Sequence, residues 1–397
     1  MEWLFLLLPV AAVSGWWLAR YGQSRRSIQS NGPDAAFLRG LNYLLDQRPD
    51  KAIDIFLRLA EVDGETVEIH LALGSLFRRR GEVERAIRIH QNLVARTGLD
   101  REQRGFALYE LAQDYMRAGL FDRAESLLLE LVEIEPQGRR ALKALIEIYQ
   151  QEKDWANALG VAERLERLSE RPLAVEIAHY RCELAEEALR AGATEQAATH
   201  LHAAQAVHPQ CVRAIMLQAR MEMDRGDATA ALRLCRQVAE QGPRFIPDML
   251  PQLLEAMERL DGADAQAELR RLYLAQPSPA LMSALADVIQ RDRGPAAALD
   301  FLTEHLKEHA DLTGIERLLA LQTAVQGDGA GGCPEVVLRG VRRLRAQQAA
   351  YQCDQCGFVA RRLHWQCPSC KHWGTIKAAQ PGPRDQCLAG APAPPGQ

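Results

Sequence analysis

From residue 34 to residue 326, apolar positions recur at three- and four-residue intervals, the spacing that lines one face of a helix, and the helical blocks come in pairs. In each pair an apolar helix ends at a glycine, a short connection follows, and a second helix carries an alanine and often closes on a proline. The marking alanines are Ala52, Ala86, Ala124, Ala158, Ala197, Ala231, Ala265 and Ala298, recurring every 33 to 39 residues. Gly81, Gly119, Gly192 and Gly226 precede their alanines by five positions, and Pro136, Pro209, Pro243 and Pro277 follow theirs by twelve. Each residue type has a physical reason: alanine lets two helices approach closely, glycine ends the first helix in a permissive backbone, and proline stops the second. The pattern predicts about eight helix pairs.

This unit resembles the tetratricopeptide repeat. One such pair cannot bury its own apolar face, so the resemblance implies a stacked superhelix with an extended concave surface of the kind that binds other proteins. The two longer intervals coincide with polar insertions such as Thr97-Gly98-Leu99-Asp100. From Pro279 to Val325 the pattern stays helical while the signature weakens, as at the capped end of an array. Gly327 to Gly332 reads G-x-G-x-x-G, but a helix precedes it, whereas a dinucleotide fingerprint needs a strand there. We read residues 327–350 as a linker followed by a helix over Pro334–Ala350.

Ahead of the array, Trp3 to Leu18 contains no charged residue, and Trp3, Trp16 and Trp17 stand near its ends. Residues 1–20 read as a short transmembrane anchor with interfacial aromatics, bent or interrupted at Pro9, with residues 21–33 as a juxtamembrane linker. A cleaved signal peptide needs a basic start, and only Met1 and Glu2 precede the run, although Ala12-Val13-Ser14 resembles a cleavage site. Arg20, Arg25 and Arg26 follow the span, so the positive-inside rule places the bulk of the chain in the cytoplasm.

Composition agrees with an all-α protein. Ala, Leu, Arg, Glu and Gln dominate, and these side chains lose little freedom in helices. The net charge of −4 over 397 residues argues against nucleic-acid binding by the whole chain. Cys182, Cys211, Cys235, Cys333 and Cys387 are scattered, mostly in helical pattern, as reduced thiols usually are. His70, His90, His179, His200, His202 and His208 form no H-E-x-x-H pair and read as ordinary helix residues.

Chemistry concentrates near the C-terminus. Cys353-x-x-Cys356 and Cys367-x-x-Cys370 are separated by ten residues. Two such turns converge four thiolates on a tetrahedral site suited to one structural metal ion, zinc or iron. Four sulfurs leave no open coordination position, so the site is expected to hold a small module, residues 351–377, rather than to catalyse. Tyr351 and Trp365, two residues before each pair, are placed to cover it, and with Pro368 they resemble rubredoxin knuckles. Lys371 stands where a second knuckle glycine is usual, and the spacer is short for an electron carrier. Between Val336 and Lys377, eight basic residues (Arg339, Arg342, Arg343, Arg345, Arg361, Arg362, Lys371, Lys377) face one acid, Asp354. This basic segment offers itself to anionic lipid, an acidic partner or nucleic acid. Residues 378–397, rich in Pro, Gly and Ala, read as a disordered tail.

Anchor, repeats and knuckles in this order, with Leu4-Phe5-Leu6-Leu7-Leu8-Pro9, Gly15-Trp16, Cys356-Gly357-Phe358, Trp365-x-Cys367-Pro368 and Trp373, resemble the lipopolysaccharide assembly protein B family over nearly the entire chain. That resemblance implies a bacterial inner-membrane, single-pass adaptor without enzymatic activity. In such an adaptor Cys353, Cys356, Cys367 and Cys370 are the metal ligands. The implied partners are the membrane protease FtsH, its client the LpxC deacetylase, and other lipopolysaccharide assembly proteins. The alternative reading is a nucleic-acid-binding scaffold built on the basic knuckle.

Overall fold

The computed structural model describes residues 33–46, 48–62, 66–134, 137–168, 172–260, 264–309, 311–326, 333–348 and 350–379. The expected anchor (1–20), the juxtamembrane linker up to residue 32, the glycine run 327–332, Pro136, Cys387 and the tail from residue 380 lie outside them. Among the described residues no helix is long and apolar enough to cross a membrane. The chain divides into two compact units, Met1–Glu170 and Arg171–Gln397.

In the first unit the helices are α1 (Pro33–Leu45), α2 (Pro49–Val62), α3 (Val67–Arg80), α4 (Val83–Val94), α5 (Arg101–Ala118), α6 (Phe121–Leu131), α7 (Gly138–Glu152) and α8 (Trp155–Leu168). They pack two by two, α1 on α2 through α7 on α8. Asp100 caps α5 by accepting from the Gln103 backbone N–H, and the Gln103 side chain returns to the Asp100 N–H. A buried polar network ties α3, α4 and α5 together. His90 Nδ1 lies 2.5 Å from Asp114 Oδ2, and Arg78 donates to Asp114 Oδ1 at 2.7 Å. Gly74 leaves the space that His90 fills, because a Cβ there would meet the ring at 2.4 Å.

The second unit carries α9 (Ala174–Arg190), α10 (Thr194–Val207), α11 (Val212–Arg225), α12 (Ala228–Gln241), a 3-10 turn (Pro243–Phe245), α13 (Ile246–Glu258), α14 (Ala265–Ala275), α15 (Pro279–Arg293), α16 (Pro295–Glu308), α17 (Leu312–Gln326) and α18 (Cys333–Gln347). Here α9 packs on α10, α11 on α12, α15 on α16 and α17 on α18. A three-stranded antiparallel sheet closes the unit, in the order β2 (Val359–Ala360), β1 (Tyr351–Cys353), β3 (Ile376–Ala378). Tyr351 pairs with Ala360 on one side and with Ala378 on the other, so Ala378 belongs to the sheet rather than to the tail.

The marking alanines sit where close helix approach demands them. Ala52, Ala86, Ala124, Ala158, Ala197, Ala231 and Ala298 are completely buried, each at the fourth position of its helix. Ala265 departs from the pattern. Asp264 caps α14 by accepting from the Ala267 N–H, so Ala265 opens the helix and is only partly buried. The buried position one turn on is Glu268, which Arg236 and Arg271 hold at 3.0 and 2.7 Å.

Gly81, Gly119, Gly192 and Gly226 all take left-handed backbone at the helix ends, with φ between 75° and 86°. At the corresponding turn before Ala158 the chain has Lys153, which adopts φ 59°. A Cβ in that region costs about 1 kcal/mol. Lys153→Gly is therefore expected to raise stability by about 1 kcal/mol, partly offset by the freer unfolded chain. Chemical denaturation checks this, with a rise in the midpoint at unchanged slope.

Candidate metal centre

The two cysteine turns are built alike. Cys353 N–H donates to the Phe358 carbonyl and Gly357 N–H to the Cys353 carbonyl, while Cys367 N–H donates to the His372 carbonyl and Lys371 N–H to the Cys367 carbonyl. In this equivalence Lys371 takes the place of Gly357, and both are left-handed, at φ 61° and 75°. The turns face each other so that sulfurs pair across them: Cys353 Sγ lies 3.8 Å from Cys370 Sγ, and Cys356 Sγ 3.7 Å from Cys367 Sγ. All four sulfurs lie within 4.8 Å of one another. A tetrahedral ion with metal–sulfur bonds near 2.3 Å sets its sulfurs about 3.8 Å apart, so this donor set fits zinc or iron. Cys353 and Cys367 are buried, Cys370 is intermediate and Cys356 is exposed.

The module has little core of its own: Cys353, Cys367 and Ile376, with Tyr351, Phe358, Leu363 and Cys370 packed against them. Its large aromatics are used elsewhere. Trp373 is 6% exposed, stacked on His179 of α9 at 5.1 Å between ring centroids and edge-on to Tyr180 at 5.8 Å. Trp365 stacks on Phe245 at 5.4 Å, with the Arg213 guanidinium 5.7 Å from its ring. Arg213 is itself 3% exposed and ion-paired to Glu183 and Glu186 of α9.

Polar contacts fix the register of this seat. Arg244 donates to Asp354 Oδ1 at 2.8 Å and to the Ala378 carbonyl, and the Tyr351 hydroxyl donates to Asp248 Oδ1 at 2.7 Å. Burial pushes the Asp248 carboxyl up, against the opposing effect of the Tyr351 hydrogen bond. At Asp354, burial raises the carboxyl, but Arg244 and Lys377 outweigh it and hold it below the usual range. Tyr351 thus lies against the cysteine cluster, as its position before the pair implies, while its hydroxyl reaches the repeats. Trp365, expected to cover the sulfurs, instead packs against the repeat core beside Phe245 and Arg213, and Phe358 and Leu363 join Tyr351 on the cysteine cluster.

Much of the basic segment is neutralised internally: Arg342 and Arg345 pair with Glu316, Arg339 with Glu335, and Lys377 with Asp354. Arg343, Arg361, Arg362 and Lys371 stay exposed. Among the described residues, the four cysteines are the group of His, Cys, Asp or Glu close enough to share an ion.

Comparison with known proteins matches residues 351–378 to the rubredoxin metal binding domain family and residues 69–104, 109–171 and 182–244 to tetratricopeptide repeat families. Lipopolysaccharide assembly protein B of Escherichia coli (strain K12) is 37% identical over 386 residues, covering 95% of this chain and 98% of that protein. The chain belongs to the lipopolysaccharide assembly protein B family. The protein of the same name from Haemophilus influenzae (strain ATCC 51907 / DSM 11121 / KW20 / Rd) is 34% identical over 392 residues, covering 95% and 98%. Among solved structures, that of Naa15/Naa10 bound to HypK-THB superposes with a TM-score of 0.52 at 15% identity, over 87% of this chain and 52% of that one. That likeness is one of fold.

In this member of the lipopolysaccharide assembly protein B family, His179, an ordinary helix residue by its sequence pattern, has a specific place in the seat. Its ring is 4% exposed, and burial, helped by the nearby Arg213 charge, lowers its pKa to about 3. The imidazole is neutral where an unfolded one, with a pKa near 6.5, takes up a proton. The unfolded state therefore binds more protons below pH ~6.5, and stability is full above that value and falls with acid toward pH ~3, by at most about 1.4 kcal/mol per pH unit. Between pH 7 and 5 the wild type is expected to lose more stability than His179→Phe. Parallel pH slopes in urea melts of the two proteins would remove His179 from the account.

Proposed function

We propose that this chain is a membrane-anchored adaptor in lipopolysaccharide biosynthesis that carries out no chemistry of its own. The observation carrying the lipopolysaccharide assignment is the match along 95% of the chain to proteins named for lipopolysaccharide assembly. The adaptor reading is supported by the repeats, whose stacking leaves extended surfaces for other proteins, and by a donor set of four thiolates that fills a tetrahedral ion and leaves no position for substrate. In this reading Cys353, Cys356, Cys367 and Cys370 ligate one zinc or iron ion. The ion supplies the cross-link that folds the module, and the module's aromatic rings extend the repeat surface.

Residues 1–20 would serve as the single-pass inner-membrane anchor, with the bulk in the cytoplasm. The finer mechanism is proximity. Holding the LpxC deacetylase beside the FtsH protease raises the client's effective concentration at the protease without any new bond being made. The test is to deplete the protein from cells and follow LpxC after synthesis is blocked. A lengthened LpxC half-life, restored by the wild-type chain, is the expected result, and an unchanged half-life overturns the adaptor mechanism.

A further inference from the structure

Two cysteines outside the metal centre lie together in the second unit. Cys182, in the body of α9, and Cys211, the residue before α11, have their Sγ atoms 3.9 Å apart, and both are buried. Both belong to one buried cluster with Ala178, Ala185, Ala197, Leu201 and Ala204, and Cys211 has a second neighbourhood besides. Cys211 borders a groove of about 380 Å³ that runs beside the metal module, with Gly242, Phe245, Trp365 and Lys377 also on its walls. Of the two cysteines, Cys211 is the one on the wall of that groove. The α11 N-terminus and the Arg213 guanidinium flank the same sulfur, and both favour negative charge there.

We propose that Cys182 and Cys211 form an oxidisable dithiol that a hydroperoxide converts to a disulfide, with Cys211 as the attacking sulfur and Cys182 as the resolving one. In the first step the Cys211 thiolate attacks a peroxide oxygen and the O–O bond breaks. Hydroxide leaves and takes up the proton released from Cys211 as water, and Cys211 becomes a sulfenic acid. The Cys182 sulfur then attacks the Cys211 sulfur and the S–O bond breaks. The departing hydroxide takes the Cys182 proton as a second water. Two thiols and one hydrogen peroxide give one disulfide and two waters.

The geometry supports each assignment. The sulfurs need to approach by about 1.9 Å to reach bonding distance, a shift within reach of a side-chain rotation and a small movement at the start of α11. The hydrogen bond shared with Cys182 and the backbone N–H groups of Ala214 and Arg213 lower the Cys211 thiol against the effect of burial, while the Cys182 thiol is raised. Arg213, two residues beyond Cys211, lies over Trp365, so the bond would form at the edge of the module's seat.

Full-length, metal-loaded protein treated with graded hydrogen peroxide, alkylated and digested without reduction tests the proposal. Peptide mapping is expected to find a Cys182–Cys211 cross-link lighter by two hydrogens. It should form at least about tenfold faster than oxidation of Cys235, a buried thiol that burial pushes up to about 11 and that serves as internal control. In Cys182→Ser, Cys211 stops at a sulfenic acid that dimedone captures, and in Cys211→Ser, Cys182 stays a thiol. Absence of the cross-link once the knuckle cysteines have oxidised overturns the proposal. So does a Cys182 sulfenic acid in Cys211→Ser that forms as fast as the Cys211 one in Cys182→Ser. Should either variant fail to fold, the wild-type map alone decides.

Discussion

Removing the metal with a chelator, or replacing Cys367 by Ser, is expected to unfold residues 351–378 and leave the repeat helices helical. The three strands hold only three, two and three residues, and the module's own buried cluster is essentially two cysteines and Ile376. A segment of that size does not bury enough apolar surface to offset the entropy of ordering its backbone. Structural zinc in comparable peptides supplies about 10–16 kcal/mol, most of it realised as folding. Without the ion, four sulfurs within 4.8 Å lose the charge that holds them together. Far-ultraviolet circular dichroism should barely change, because the helices dominate it, whereas the knuckle thiols should become fully reactive. Thiols that stay protected after verified metal loss would show that the seat alone folds the module.

The second large effect is expected from Trp373→Ala. An indole of this size covers about 200 Å², and its removal from a packed site typically costs about 3–5 kcal/mol. Here the ring joins two segments far apart in sequence, since it lies on His179 and Tyr180 of α9. Its loss should lower the unfolding midpoint of the second unit while the four cysteines still bind their ion, because Trp373 is not part of the donor set. Metal content measured after gel filtration separates the two effects. A cost below about 1 kcal/mol would mean that Arg244 and Trp365 hold the module without it.

The repeats were legible in the sequence because their physics is local. A period of three to four residues, a buried alanine and a left-handed glycine each leave a mark within one helix pair. Ala265 misled because the mark recorded spacing alone, while Asp264 starts α14 at that residue and moves the buried position to Glu268. The metal donor set was legible for a similar reason, since each C-x-x-C turn is five or six residues of self-contained hydrogen bonding. Only the way the sulfurs pair across the two turns needed coordinates.

The seat of the module was not legible. His179, Arg213, Phe245 and Trp373 come from four separate segments, and none but Trp373, part of the family resemblance, belongs to a motif. One signal was available: Trp365 and Trp373 both occur in a module too small to bury two indoles, so another part of the chain had to cover them. Lys153 and Lys371 show the opposite limit. Each occupies left-handed backbone where the pattern asks for glycine, and the fold imposes the conformation despite its local cost.

Backbone hydrogen exchange at the seat tests the account most directly, because its central claim is that the metal-held module packs as one body with the repeats of the second unit. Amides of residues 177–181 and 245–250 would be compared between the metal-loaded wild type and Cys367→Ser. The account predicts that these repeat amides exchange at least about tenfold faster in the variant, as expected when roughly 1.4 kcal/mol or more of local protection is lost. Unchanged exchange there, with residues 351–378 fully exchanged, would contradict it and make the module an independent appendage.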